Sequence, residues 1–172
     1  MSEHPREIIP EKVIAALRRH AETVFGGRGV DVVYLYGSVA TGLAHPFSDV
    51  DIALLVSEEK AAMTPYDRLQ FEIDIELAIE QVCGIDYAEV RVINDAPLAF
   101  RGQIATKGIR LYTASEERRI AFETQTWKEY FDYQPWERLM SQAFWARLRK
   151  EGLGGRTRQN QETVRQSGWS HR

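Results

Sequence analysis

Two aspartates one residue apart, Asp49 and Asp51, are the side chains of this sequence best placed to do chemistry. In a β-strand such residues project from the same face, with their Cα atoms about 6–7 Å apart. Both carboxylates could therefore reach the same one or two cations. Residues 52–56 are all apolar, which is typical of a strand buried on both faces. Because two acids at the end of such a strand are costly without a counter-charge, we predict a bound metal ion.

A Gly-Ser pair, Gly37 and Ser38, lies upstream of these aspartates, and ten residues separate Ser38 from Asp49. At a turn from a strand into a helix, such a pair provides close backbone approach, N–H donors and one hydroxyl, all of which suit a phosphate. Mg²⁺ is usually held by a few carboxylate oxygens together with the phosphates of its substrate. The turn and the two acids therefore predict a site for a magnesium-bound triphosphate.

A third carboxylate is expected from a neighbouring strand, because two-metal chemistry also needs a ligand near the attacking oxygen. The candidates are Asp86 and Glu89. We favour Glu89, because it lies inside a predicted strand at 88–93, whereas Asp86 precedes that strand. Two other polar residues are expected to lie at the surface. We expect His45 to be exposed in its loop, and Arg101 to form a surface ion pair rather than to contact a phosphate.

The periodicity of the sequence predicts the elements that position these residues. We expect helices at 10–25, 65–83 and 97–107, a helical turn at 39–43, strands at 30–36, 49–56, 88–93 and 109–112, and two further helical segments at 115–132 and 135–150. Tyr34 and Tyr36 are assigned to packing within their strand. Asn94 and Asp95 are expected to cap the helix that begins near Pro97.

The helix at 65–83 has two possible apolar faces. One contains Leu69, Ile73 and Leu77. The other contains Ile75, Ala78 and Ile79. Val82 follows at helical spacing, and the second face is the alternative to the first.

Length and composition indicate a soluble globular protein with one main domain. The chain has 172 residues, of which 44% are hydrophobic and 27% charged. Its formal net charge of −3 gives no reason to expect binding to a nucleic-acid backbone. The single cysteine, Cys83, excludes an internal disulfide, and we expect it to be a buried small hydrophobic residue. Without a signal-peptide core or a long apolar run, the sequence predicts a cytoplasmic protein.

Two motifs, GSVATG at 37–42 and SDVDIAL at 48–54, resemble the nucleotidyltransferase superfamily of the DNA polymerase β type. The likeness is strongest to its minimal nucleotidyltransferase (MNT) branch. Residues 90–112 are similar to the family's strand, its Asn-x-Ala-Pro helix and its closing Gly-x-x-Leu-Tyr, and residues 122–139 to the C-terminal helices of MNT antitoxins. The resemblance covers residues 12–150.

This resemblance implies an α+β fold, with a small mixed β-sheet flanked by helices and a C-terminal helical extension. We therefore expect a minimal nucleotidyltransferase domain at 1–113. Helices at 114–150 would pack on that domain or on a partner, and residues 151–172 would form a disordered tail.

The resemblance also implies an activity. MNT antitoxins are paired with HEPN-domain toxins, which implies Mg²⁺-dependent transfer of AMP from ATP to a tyrosine hydroxyl of the toxin, with release of pyrophosphate. By motif, Gly37 and Ser38 would bind the nucleotide phosphates. Asp49, Asp51 and Glu89 would be the catalytic and Mg²⁺-binding acids, with Glu89 as the base.

Two positions depart from the family pattern. The family often has arginines in the turn where Val39 and Thr41 stand here, so the triphosphate would be held less tightly or from elsewhere in the protein. The third acid is generally aspartate in the family, and Glu89 is longer by one methylene.

Two other functions remain open at this point. A small-molecule nucleotidyltransferase, such as one that modifies aminoglycosides, would share the acids but needs an acceptor pocket, often an acidic one. An antitoxin that works by binding alone would use aromatic residues of the C-terminal helices, namely Trp127, Trp136, Phe144 and Trp145. A template-directed polymerase is the function least consistent with the sequence, because nothing after residue 113 resembles a basic nucleic-acid-binding surface.

Overall fold

The computed structural model describes the backbone of residues 8–151 and the side chains of residues 8–133 and 142. Its helices and strands follow in the order α1 Pro10–Arg19, α2 Ala21–Phe25, β1 Val30–Tyr36, α3 Gly37–Thr41, β2 Val50–Val56, α4 Glu58–Ala61, α5 Pro65–Cys83, β3 Ala88–Val92, α6 Leu98–Lys107, β4 Ile109–Thr113 and α7 Glu116–Glu151. The chain divides into two compact units between Tyr130 and Phe131.

The four strands form one mixed sheet in the order β3-β2-β1-β4. Strand β1 runs antiparallel to both β2 and β4, whereas β2 and β3 are parallel. The parallel pair requires a long crossover, which α5 provides. The expected α+β fold with a small mixed sheet is therefore confirmed.

Both faces of the sheet are covered, which explains why β2 is apolar throughout. Ile52 and Leu54 pack into the larger core, together with residues of α1, α2 and α5. Ala53 and Leu55 pack into a smaller cluster on the opposite face, against Ile104 of α6. The site described below lies at the end of this second face.

Helix α5 has the predicted bounds and buries the second of its two possible faces. Phe71, Ile75 and Ile79 are buried, whereas Leu69, Ile73 and Leu77 are 52%, 37% and 47% exposed. Gly84 ends the helix in the left-handed conformation, with φ 70°. Cys83 is only partly buried, and burial raises the pKa of its thiol.

Helix α6 begins as expected, but the expected cap is wrong. Pro97 occupies the N-cap position without a side-chain hydrogen bond. The Asn94 side chain instead accepts a bond of 3.0 Å from the Val56 N–H and donates one of 2.7 Å to the Val56 carbonyl. Strand β3 ends at Val92, which pairs with Leu54, so β3 offers no backbone partner at the level of Val56. Partly buried backbone groups of this kind must be satisfied by another partner. Asp95 forms an ion pair with Arg68 of α5 at 2.7 Å.

Two other helices differ from the prediction. The helix expected at 10–25 is interrupted at His20, whose φ and ψ of −104° and 8° lie outside the helical region. Near the C-terminus, one helix, α7, spans the region in which we expected two. Pro135, taken as the start of the second, lies inside it, because a proline removes one hydrogen bond and can kink a helix without ending it. The predicted disordered tail lies outside the described residues beyond Glu151.

The first part of α7 packs closely on α6. A methyl group at Gly102 would overlap the ring of Tyr130, so this close approach requires glycine. The indole N–H of Trp127 donates to the Ala105 carbonyl at 3.1 Å. Across residues 8–151, none of the helices combines the length and the apolar character that a membrane span requires.

Candidate active site

Three polar side chains occupy the same level on adjacent strands. Tyr36 of β1 pairs with Asp51 of β2, and Asp51 pairs with Glu89 of β3. Directly paired residues share a face of the sheet, and neighbouring strands lie about 4.8 Å apart. Glu89 is thus the acidic residue placed beside Asp51, whereas Asp86 is exposed and precedes the strand.

Asp49 lies one residue before β2, which begins at Val50 rather than at Asp49. The loop before it is closed by Ser48, a buried residue whose hydroxyl accepts a bond of 3.0 Å from the His45 N–H. In return, the Ser48 N–H donates to the His45 carbonyl at 2.9 Å. This reciprocal pair ends the loop next to Asp49, and the His45 side chain is exposed, as expected.

The Gly-Ser turn lies directly against Asp51. Gly37 has φ 69°, and a methyl group there would overlap the Asp51 carboxylate oxygen Oδ2. Only glycine therefore satisfies both the left-handed backbone and the close approach. The short helix α3 then carries Ser38 and ends at Gly42, which is also left-handed, with φ 72°.

The site concentrates negative charge. The pKa of Asp51 is raised by burial and by the charges of Glu89 and Asp49, with Arg91 opposing the shift. Burial, together with the charge of Asp51, also raises the pKa of Tyr36 to about 12. Glu89 forms an ion pair with Arg91, two residues along the same strand. A cation bound beside Asp51 would oppose this rise in its pKa, because it would favour the ionised carboxylate.

The donor set fits Mg²⁺ shared with a substrate. Within residues 8–133, no three His, Cys, Asp or Glu side chains are grouped closely enough to hold a metal ion by themselves. Mg²⁺, however, is usually bound by one or two carboxylates plus phosphate oxygens and water. Asp49 and Asp51 offer hard oxygen ligands of this kind beside the turn.

Two cavities open on either side of this row of polar residues. The first, of about 490 Å³, lies at the Gly-Ser turn and is called here the turn cavity; it is lined by Gly37, Ser38, Leu43 and Lys107, among others. The second, of about 450 Å³, lies between α5 and β3 and is called here the edge cavity. Phe100 lines both cavities and packs edge-to-face against Tyr36, with ring centroids 5.2 Å apart.

Sequence reasoning missed Lys107, Phe100 and the site position of Tyr36. The only sequence signal for Lys107 is its place just before Gly108, where α6 ends and the chain returns to the sheet. Arg101, in contrast, behaves as expected, because it pairs with Glu129 at 3.6 Å and donates to the Ala96 carbonyl.

Comparison with known proteins agrees with this geometry. The sequence model described as polymerase beta, nucleotidyltransferase matches residues 11–117. No match is found among curated proteins.

Solved structures with the same fold include a toxin–antitoxin complex with AMP-PNP, at 20% identity and a TM-score of 0.54, covering 80% of this chain and 98% of that one. Another is a tri-AMPylated HEPN toxin of Shewanella oneidensis in complex with an MNT antitoxin, at 15% identity and a TM-score of 0.53, covering 79% and 98%. A further structure from Shewanella oneidensis has 17% identity and a TM-score of 0.51, covering 77% and 97%. At these identities, the likenesses establish a shared fold. Because the family match extends over more than half of the chain, this protein belongs to the polymerase β nucleotidyltransferase family.

Proposed function

We propose that this protein is the antitoxin of a toxin–antitoxin pair and that it transfers AMP from ATP to a tyrosine hydroxyl of a HEPN-domain toxin, in a Mg²⁺-dependent reaction in the cytoplasm. The observation that carries the proposal is the contact between the Gly37 turn and Asp51, with Glu89 beside Asp51 on the next strand. The fold shared with chains of toxin–antitoxin structures, one with AMP-PNP and one with an AMPylated HEPN toxin, supports it.

The triphosphate would lie in the turn cavity. Gly37 allows the backbone to approach a phosphate closely, and Ser38 adds a half-buried hydroxyl. Lys107, which lines the same cavity, is the cation that Val39 and Thr41 do not supply. Phosphoryl-type transfer depends mainly on such positioning and charge neutralisation.

Asp49 and Asp51 would hold Mg²⁺, with Glu89 as the third acid. When bound, the ion neutralises charge on the phosphates and favours ionisation of the attacking hydroxyl. Glu89 would accept the hydroxyl proton as a carboxylate base. The hydroxyl oxygen then forms a bond to the α-phosphorus, and the bond from that phosphorus to pyrophosphate breaks.

The test is transfer of label from α-labelled ATP, with Mg²⁺, to a HEPN-domain protein encoded beside this chain. We expect Asp49→Asn and Asp51→Asn each to lower the rate at least about 100-fold, because each removes a carboxylate needed for charge neutralisation. Asp74→Asn, an exposed substitution on α5, is the matched control and should transfer normally. Transfer by the Asp49 and Asp51 variants at the wild-type rate would refute the proposal.

Neutralisation of the toxin is measured in parallel. If the double variant Asp49→Asn, Asp51→Asn still neutralises the toxin while transferring no label, the protein works by binding alone. That outcome would replace the enzymatic proposal with the occlusion mechanism.

A further inference from the structure

We propose that the edge cavity is the acceptor site and that it receives a basic, apolar segment of a polypeptide, which presents the acceptor hydroxyl to Glu89. This inference rests on the proposed function and names the chemistry of its acceptor. Five residues of α5 line the cavity on one side, and four residues of β3 line it on the other.

The position of the cavity fits an in-line displacement, in which the attacking and leaving oxygens lie on opposite sides of the phosphorus. The sheet order places β2, with Asp51, between β1 and β3. The turn cavity lies at the end of β1, and the edge cavity lies at β3 and includes Glu89. If the β- and γ-phosphates of a nucleotide lie at the turn, its α-phosphate would lie between the leaving pyrophosphate and the edge cavity.

The charge of the edge cavity favours a cationic occupant. Glu72 and Glu76 of α5 line it, and neither forms an ion pair with a side chain among residues 8–133. The two arginines that also line it, Arg68 and Arg91, are already paired with Asp95 and Glu89, respectively. Lysine or arginine residues next to the acceptor hydroxyl would complement this excess of carboxylates.

The same two glutamates exclude one mode of binding. Strand β3 is at the edge of the sheet, and its Val90 and Val92 N–H groups donate to Glu76 and Glu72 at 2.9 and 2.8 Å, respectively. An added strand would need those N–H groups. The occupant must therefore bind through its side chains rather than by extending the sheet.

An apolar row decides between a polypeptide and a small polycationic acceptor. Leu69, Ile73 and Leu77 recur four residues apart on α5, and each is at least 37% exposed. Leu69 and Ile73 line the cavity, and Leu77 continues the row beyond it. An aminoglycoside has cationic groups for the glutamates but no apolar side chains for this row, whereas a polypeptide segment offers both.

Three substitutions at one exposed position separate charge from loss of apolar contact. Leu69→Glu, Leu69→Ser and Leu69→Lys remove the same apolar side chain and differ in charge. With the neighbouring HEPN-domain protein as acceptor, we expect Leu69→Glu to transfer fastest, Leu69→Ser more slowly and Leu69→Lys slowest. The fastest and slowest rates should differ about tenfold at low salt. The difference should shrink at high salt, because exposed charges are screened.

The controls use two other readouts. Ile120→Lys introduces the same charge at an equally exposed residue of α7, 53% exposed, that lines neither cavity, and should transfer normally. All Leu69 variants should bind Mg²⁺–ATP as tightly as the wild type, since Leu69 does not line the turn cavity.

Equal rates for the three Leu69 variants, or the reverse order, would overturn the inference, as would faster AMP transfer to kanamycin than to the protein acceptor. A wild-type chain that transfers AMP to no protein at all would instead defeat the proposed function, so the two failures are distinguishable.

Discussion

Replacement of Gly37 by alanine should remove activity while leaving the fold intact. Gly37 has φ 69°, and a left-handed backbone costs a residue with a Cβ about 1–2 kcal/mol. The added methyl group would also overlap the Asp51 carboxylate, so Asp51 must move. A displacement of about 1 Å in a reacting group can lower a rate of the order of 100-fold.

Gly42→Ala provides the matched control. Gly42 also has positive φ, 72°, but no atom lies within 4 Å of a Cβ built there. Gly42→Ala should therefore lose about 1–2 kcal/mol of unfolding free energy, which is about 2–8 °C in Tm for a chain of this size. Gly37→Ala should lose at least as much, because Asp51 must also move. Only Gly37→Ala should lose transfer activity, because only there does the methyl group meet a proposed catalytic side chain.

The assays are thermal unfolding by circular dichroism and transfer of AMP from labelled ATP to the protein acceptor. Gly37→Ala should unfold at or below the Tm of Gly42→Ala, and its transfer rate should be at least about 100-fold lower than that of Gly42→Ala. If Gly37→Ala transfers at the wild-type rate, or if Gly42→Ala loses as much activity as Gly37→Ala, the contact between the turn and Asp51 does not matter for function. That result would refute the reasoning.

Three further predictions test contacts elsewhere in the fold. Asn94→Ala should lower the unfolding free energy by about 2 kcal/mol, measured in urea, because both hydrogen bonds to the Val56 backbone are lost. Tyr34→Phe should reduce the loss of unfolding free energy that the wild type shows above about pH 10. Burial and the hydrogen bond to Glu123 raise the pKa of Tyr34 above its unfolded value of 10. The contribution of Tyr34 to stability is therefore complete below about pH 10 and is lost as the pH rises above it. Asp51→Asn should raise the unfolding free energy by about 0.5 kcal/mol without Mg²⁺, since it removes like-charge repulsion across two strands, and should abolish stabilisation by Mg²⁺–ATP.

Each of these has a matched control. Asp95→Ala breaks an exposed ion pair and should cost less than about 1 kcal/mol, so a loss equal to that of Asn94→Ala would contradict the first prediction. Tyr66 is 69% exposed, and Tyr66→Phe should keep the wild-type pH profile that Tyr34→Phe changes. Asp74→Asn should leave both the stability and the response to Mg²⁺–ATP unchanged; the third prediction is wrong if it behaves like the Asp51 substitution.

Local signals in the sequence were sufficient for most elements. The bounds of α5 follow from Pro65 and Gly84, a proline in the first turn and a glycine after the last. The face that α5 buries could not be predicted, because leucines and isoleucines occupy both candidate faces and only contact with the sheet selects one. Likewise, Asn94 has the side chain of a helix cap, and nothing local shows that the end of β2 uses it instead.

The site was predictable to the extent that it depends on alternation along a strand. Spacing alone indicated that Asp49 and Asp51 lie together at a strand end, near the Gly37 turn. The partnership of Asp51 with Glu89 depends on the register of a parallel pair 38 residues apart in the chain, and sequence could offer only a preference between two acids. Lys107 was missed because its relation to the turn is created by the packing of α6 over the sheet.

The register itself explains why the acids can be tolerated. One level along the same face from Asp51 and Glu89, β2 carries Ala53 and β3 carries Arg91. The small side chain of Ala53 lies in the apolar cluster, while Arg91 reaches back to pair with Glu89. Arg91 thus offsets one of three neighbouring carboxylates and leaves the other two for an added cation. Replacing Arg91 with leucine would leave the Glu89 carboxylate without its ion-pair partner. A basic acceptor in the edge cavity should then be attracted more strongly to Glu89.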